Sequence, residues 1–316
     1  MTWVIVLVVF LIFLGLIKFT QDDSTEFENE NTKIAIDYSF GNDVIKRSKE
    51  LLEKGEFEKA KDEFFLMNSD LLTQAIDCIC LNGEEETLLK WQTFNPDLEL
   101  PKLFLGAFYL HQAWISRGYQ KGYELNDSQV LGFVEYLGEA ERYLSKIKSS
   151  PSIILEAKSR LIRVYMGQSK YEKAEEAFEY CFDQNPEHTW SYLHLIELIQ
   201  PKWGGSTALV KSYLDRFSPN SLQYRISSLK LIWDSFTWEN NVFGGSMIEL
   251  NDFAFETAKG IHEEIKVKPP KSIHKFVLFN YMEVIFQELG YQDLAKHYEK
   301  LRANYLTLYP YGIVMH

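Results

Sequence analysis

From residue 37 onward, apolar side chains recur at intervals of three and four rather than two. That period fits one face of a helix and not the alternation of a half-buried strand. Asn82-Gly83, Asn95-Pro96, Ser150-Pro151, Asn185-Pro186, Ser218-Pro219 and Pro269-Pro270 punctuate the pattern. Each can stop or start a helix, because Pro lacks an N–H and restricts the residue before it, while Gly and Asn accept left-handed turns. Segments of roughly 12–20 residues lie between them, the length of helices paired in hairpins. The pattern predicts an all-α body over 37–316, with helices over 70–81, 102–117 and 128–147 and a candidate sub-boundary near 95–101.

The N-terminus breaks the period. Residues from Trp3 to Ile17 are uninterrupted apolar, and as a helix they would cover roughly 22 Å. Met1, Thr2, Phe19 and Thr20, with Lys18 snorkelling to the headgroups, extend this to about the 30 Å of a bilayer core. Residues 1–20 are therefore predicted to be a single transmembrane anchor. A cleaved signal peptide fits less well, since no basic region precedes the run, no A-x-A spacing follows it and no lipobox cysteine is present. Residues 21–36 are acidic and without apolar period, which reads as a solvated tether. Lys18 and Lys33 follow the span and no Lys or Arg precedes it, a bias toward a cytoplasmic C-terminal body that leaves the periplasmic side open. Three cysteines, Cys78, Cys80 and Cys181, form no disulfide framework and lean the same way.

Composition narrows the partners. The chain has 316 residues, 46% of them hydrophobic and 15% aromatic, enough to bury a large core. A net charge of -12, a pI near 5.2 and no basic run argue against nucleic acid, which is bound by clustered Lys and Arg. The expected partners are other proteins, with the lipid bilayer contacted through residues 1–20, and no cofactor is expected.

Three stretches resemble one another: LLEKGEFEKAKDEFF (51–65), YMGQSKYEKAEEAFEYCFDQNP (165–186) and FQELGYQDLAKHYEKL (286–301). The offsets Phe57, Ala60, Phe64 and Tyr171, Ala174, Phe178 agree, and Asn185-Pro186 closes the second unit. In the third, Tyr291 stands four residues before Ala295. This resembles the second half of a tetratricopeptide repeat, where a small Ala lets antiparallel helices approach and aromatics fill the space beside it. The resemblance implies a superhelix of antiparallel helix pairs behind the transmembrane helix. A second resemblance spans roughly 100–220. FLGAFYLHQAWISRGY (104–119), the helix at 128–147, the repeat-like unit and PKWGGS stand in the order of a bacterial family known as a domain of unknown function. It implies a helical domain and assigns no activity.

Candidate chemistry is sparse. QPKWGGS at 200–206 puts a lysine and two glycines before a helix, yet a P-loop needs G-x-x-x-x-G-K-[ST], and no Lys follows these glycines. An architectural turn fits better: Pro201 and Trp203 end one helix, Gly204 and Gly205 permit positive φ, and Ser206 caps the next. Phe243-Gly244-Gly245-Ser246 repeats the arrangement without a basic residue, and Ser246 with Glu249 forms a capping box. On the predicted helix 102–117, His111, Trp114 and Arg117 follow one stripe at i, i+3 and i+6. With Lys202 and Trp203 they are the candidate protein-recognition residues; the alternative is that Trp114 is core and the other two pair with carboxylates at its edge.

Other groups read as structural. Cys78 and Cys80 point to opposite sides of their helix and suit core filling rather than one metal. His194 with Glu197 is a single helical pairing, and His262-Glu263-Glu264 reads as a solvated face. No G-x-S-x-G elbow is present, so neither a catalytic nor a metal site is expected. The expected function is a membrane-tethered helical-repeat protein that binds other proteins as a scaffold or recruiter. An immunity-type inhibitor of a toxin or envelope enzyme, and a hydrolase or transferase, stand as alternatives.

Overall fold

The computed structural model describes residues 36–118, 120–237, 243 and 246–307. The expected anchor (1–20), the tether up to residue 35, Gly244, Gly245 and residues 308–316 of the apolar tail fall outside the described residues. Among the described residues no helix is long and apolar enough to cross a membrane.

The described residues are all α, with no strand. Fourteen α-helices follow one another: α1 (Asp43–Glu53), α2 (Phe57–Phe65), α3 (Ser69–Asn82), α4 (Glu85–Phe94), α5 (Glu99–Arg117), α6 (Asp127–Leu144) and α7 (Pro151–Gly167). They continue as α8 (Tyr171–Gln184), α9 (Thr189–Leu198), α10 (Thr207–Leu214), α11 (Leu222–Thr237), α12 (Met247–Val267), α13 (Lys275–Glu288) and α14 (Gln292–Arg302). Side chains set the starts. Asn42, Asn68, Asn126, Ser206 and Ser246 each accept from first-turn N–H groups that have no partner inside the helix. Pro151 opens α7, where its missing N–H costs nothing.

The helices fall into two kinds. α6, α8, α10 and α14 bury one stripe, for example Leu137, Ala140 and Leu144 in α6. By contrast α5, α7, α9 and α13 are buried nearly all round. Packing explains the difference: α3, α5, α7, α9, α11 and α13 each pack on the next in that series, and the intervening helices cover them from outside. The described residues from Ile36 onward form one compact unit, and helices before and after 95–101 pack on each other, α3 on α5 and on α7.

The array also closes on itself. Ser272 donates to Asp70 at the start of α3, and the His274 ring lies 3.5 Å from the same carboxylate. Phe40 meets Phe276 with ring centroids 5.1 Å apart, and Asp37 N–H donates to Asn304 C=O. The inner face is therefore filled rather than left as an open concave groove among the described residues. What stays accessible are the outer helices and the ends of the array.

Candidate functional site

The stretch after α9 builds the first part. Pro201–Trp203 forms one 3₁₀ turn, held by Trp203 N–H to Gln200 C=O (3.0 Å) and Gly205 N–H to the same carbonyl (3.1 Å). Gly204 stands at φ 91°, and a Cβ on Gly205 would overlap the Ile199 carbonyl. Ser206 Oγ then accepts from Leu209 N–H (3.1 Å) and starts α10. Lys202 turns toward Glu197, Nζ to Oε1 3.0 Å.

This turn brings Trp203 against the end of α5. Trp114 and Trp203 meet edge to face at 5.7 Å, and Arg117 lies over both rings, 5.9 Å from the first and 5.5 Å from the second. Arg163 of α7 covers Trp114 at 4.3 Å, and Phe133 of α6 packs against it at 5.1 Å. Guanidinium over indole is favourable, worth about 0.5–2 kcal/mol as water is excluded. Trp203 Nε1 donates to Glu197 Oε1 (2.9 Å). Two sequence motifs that lie far apart in the chain thus form one clamp of Trp114, Arg117, Trp203 and Lys202.

Behind the clamp, Lys230 of α11 is fully buried and bridges Glu197 and Asp234, the latter at 2.5 Å. Gln200 Nε2 donates to the same Asp234 oxygen (2.7 Å). Burial pushes the Glu197 carboxyl up, but Lys230 and Lys202 outweigh it and hold the group well below the ordinary range. Burial likewise opposes the Lys230 charge, and Asp234 with Glu197 still keep its pKa above normal. A general acid needs a carboxyl held protonated, and a nucleophilic lysine needs a depressed pKa. This network holds both groups charged and suits rigid positioning.

His111 does not join the clamp. It is buried, its Nε2 3.3 Å from Asp77 Oδ1, where Arg160 Nη1 also donates (2.7 Å). The reason is helical: each i+3 step turns the direction by about 60°, so residues six apart diverge by about 120°. Glu156, on the Arg160 face of α7, accepts from Thr73 and contacts His188 Nε2 at 2.9 Å. Burial raises the Asp77 pKa, yet Arg160 and His111 hold it below the ordinary range; burial lowers that of His111 and pushes His194 down to about 3. These inner groups stabilise one another in the closed centre.

Several side chains sit differently from the sequence reading. His194 pairs with the Ser159 carbonyl (2.8 Å) and not with Glu197. His262, expected on a solvated face, is buried with Nδ1 2.9 Å from the Tyr298 hydroxyl. Cys78, Cys80 and Cys181 are buried and free, with burial pushing the Cys78 thiol up to about 12. Among the described residues no cluster of His, Cys, Asp and Glu could hold a metal.

Arg163, Lys230 and Asp234 were not singled out from sequence. Their signal was charge in phase with an apolar stripe: Lys230 and Asp234 stand at i, i+4 on either side of the apolar run Leu231–Trp233, and Arg163 follows Glu156 and Arg160 at i+7 and i+3. Compared with known protein families, curated proteins and solved structures, the chain has no match.

Proposed function

We propose that this chain is a helical-repeat protein, tethered to a membrane by residues 1–20, that recruits another protein to its folded body. The observation that carries the reading is an uncovered apolar edge beside the clamp: Val130, Leu131 and Val134 of α6 are 45%, 69% and 60% exposed. Contiguous exposed apolar surface on a folded body marks interaction sites. The tetratricopeptide-like reading of the array supports it in part: Phe57, Ala60, Phe64, Ala174 and Phe178 are buried where neighbouring helices approach, while Tyr171, the counterpart of Phe57, is 44% exposed. Such arrays bind partners on the faces their packing leaves free, and here, with the inner face filled, those are the outer helices. The bacterial family with the PKWGGS turn remains a resemblance in keeping with this architecture.

The test is site-specific photo-crosslinking in cells, with the probe at Leu131 or, as control, at the exposed Glu176 of α8. The reading expects a discrete protein adduct from Leu131 and none from Glu176. No adduct from any exposed α5 or α6 position would overturn it.

A further inference from the structure

The partner's chemistry can be read from the same surface, an inference that rests on the protein-binding reading. Val130, Val134 and Glu141 recur at i, i+4 and i+11, one edge of α6. Glu141 pairs with Lys170 (2.8 Å), which places that edge beside the α7–α8 turn. Tyr171, the half-exposed first residue of α8, is near Gly204, where an added Cβ would lie 3.4 Å from its hydroxyl. Phe133, between the two valines in sequence, packs on Trp114. The apolar edge and the clamp therefore adjoin.

Within the clamp, Arg117 is half-buried, and among the described residues its guanidinium donates only through Nη1, to the carbonyls of Gly118 (3.1 Å) and Gln120 (3.4 Å). Among the described residues no carboxylate lies within ion-pair distance of it. The Trp114 indole N–H, nine-tenths buried, also has no acceptor among the described residues. A partly desolvated cation with unused donors calls for an anion, and a guanidinium fork matches a carboxylate bidentately. An apolar strip alongside requires that the anion be carried by a chain with apolar side chains.

We propose that this surface receives a segment of a partner protein in which an Asp or Glu is flanked by apolar side chains. Its carboxylate pairs with Arg117, and its apolar side chains cover Val130, Leu131 and Val134.

The test uses a displayed library of random peptides selected against the full chain in detergent. Enriched peptides should carry Asp or Glu beside Leu, Ile or Phe. A fluorescent copy should bind at least tenfold more weakly to Arg117→Gln and to Val134→Glu, with Arg117→Lys intermediate because charge remains and the fork is lost. Val134→Glu changes an exposed position, so it reports even if Arg117→Gln disturbs folding. Enriched peptides that lack an acidic residue, or that bind both variants as well as the wild type, would overturn this proposal and leave partner binding standing elsewhere on the surface. A self-association in sedimentation that Val134→Glu abolishes would make a second copy the occupant and also overturn it. Failure to enrich any peptide would count against this proposal and the protein-binding reading together.

Discussion

Trp114 and Trp203 meet edge to face at 5.7 Å, with Arg117 lying over both rings. The contact fixes the turn after α9 to the end of α5, and the Trp203 indole carries it inward through its bond to Glu197. Removing Trp203 should therefore loosen the turn and the network behind it. Trp203→Ala is expected to cost about 2–3 kcal/mol, below the range for a fully buried Trp because this one is only partly buried. Lys202→Ala should cost under about 1 kcal/mol, since that ion pair is partly in solvent. Urea denaturation of the two variants checks the ratio.

Lys230 stands between two carboxylates with no access to water. Lys230→Met would leave Glu197 and Asp234 facing each other with Lys202 alone to compensate two carboxylates, a loss of about 3–5 kcal/mol. Adding Glu197→Gln and Asp234→Asn should recover most of it, because the charge that then remains, on Lys202, has access to solvent. Equal stability of the single and triple variants would show that the charges do not meet as described.

Two glycines separate steric from conformational causes. Gly205→Ala drives a Cβ into the Ile199 carbonyl, backbone that cannot yield, and is expected to displace the turn, with a loss of more than about 2 kcal/mol. Gly55, at φ 73° with open space around it, should lose only about 1 kcal/mol as Ala. Thermal melts of both variants measure the difference.

Acid should destabilise the fold in two stages. Burial lowers the pKa of His111, His194, His262 and His274 below the ordinary 6.5. The unfolded chain therefore takes up protons first, so their stabilisation is complete above pH 6.5 and declines as pH falls below it. His194, pushed down to about 3, alone accounts for about 2 kcal/mol between pH 6.5 and 5. Asp77 and Glu197, held low by their cations, add a second loss as pH falls through the carboxylate range. Denaturant midpoints across pH 4–8 test this, and His194→Gln should flatten the upper part of the curve.

The helical class was legible because α6, α8 and α14 expose one face, so the three-and-four period survives in their sequence. It fades in α9 and α13, where residues such as Trp190, Leu193 and Val277 are buried on every side and no polar face marks the turn. Trp114 and Arg117 could be paired by spacing alone, whereas their meeting with Trp203 depends on how α5, α7 and α9 stack. His111 leaves the stripe because i+6 rotates away from its start, and it pairs with a carboxylate, Asp77, as the alternative reading had it. The buried charges were obscured by their type: Glu197, Lys202, Lys230 and Asp234 look solvated in a chain with 45 acidic residues, and only the packing shows that they neutralise one another.

The central claim is that the α6 edge and the clamp together receive a protein. It is tested most directly by the photo-crosslink at Leu131 measured in wild type and in Arg117→Gln, with folding of both confirmed by their melts. The account expects a discrete adduct in the wild type that falls at least tenfold in the variant. An adduct of equal yield in both, or none in the wild type, would contradict it.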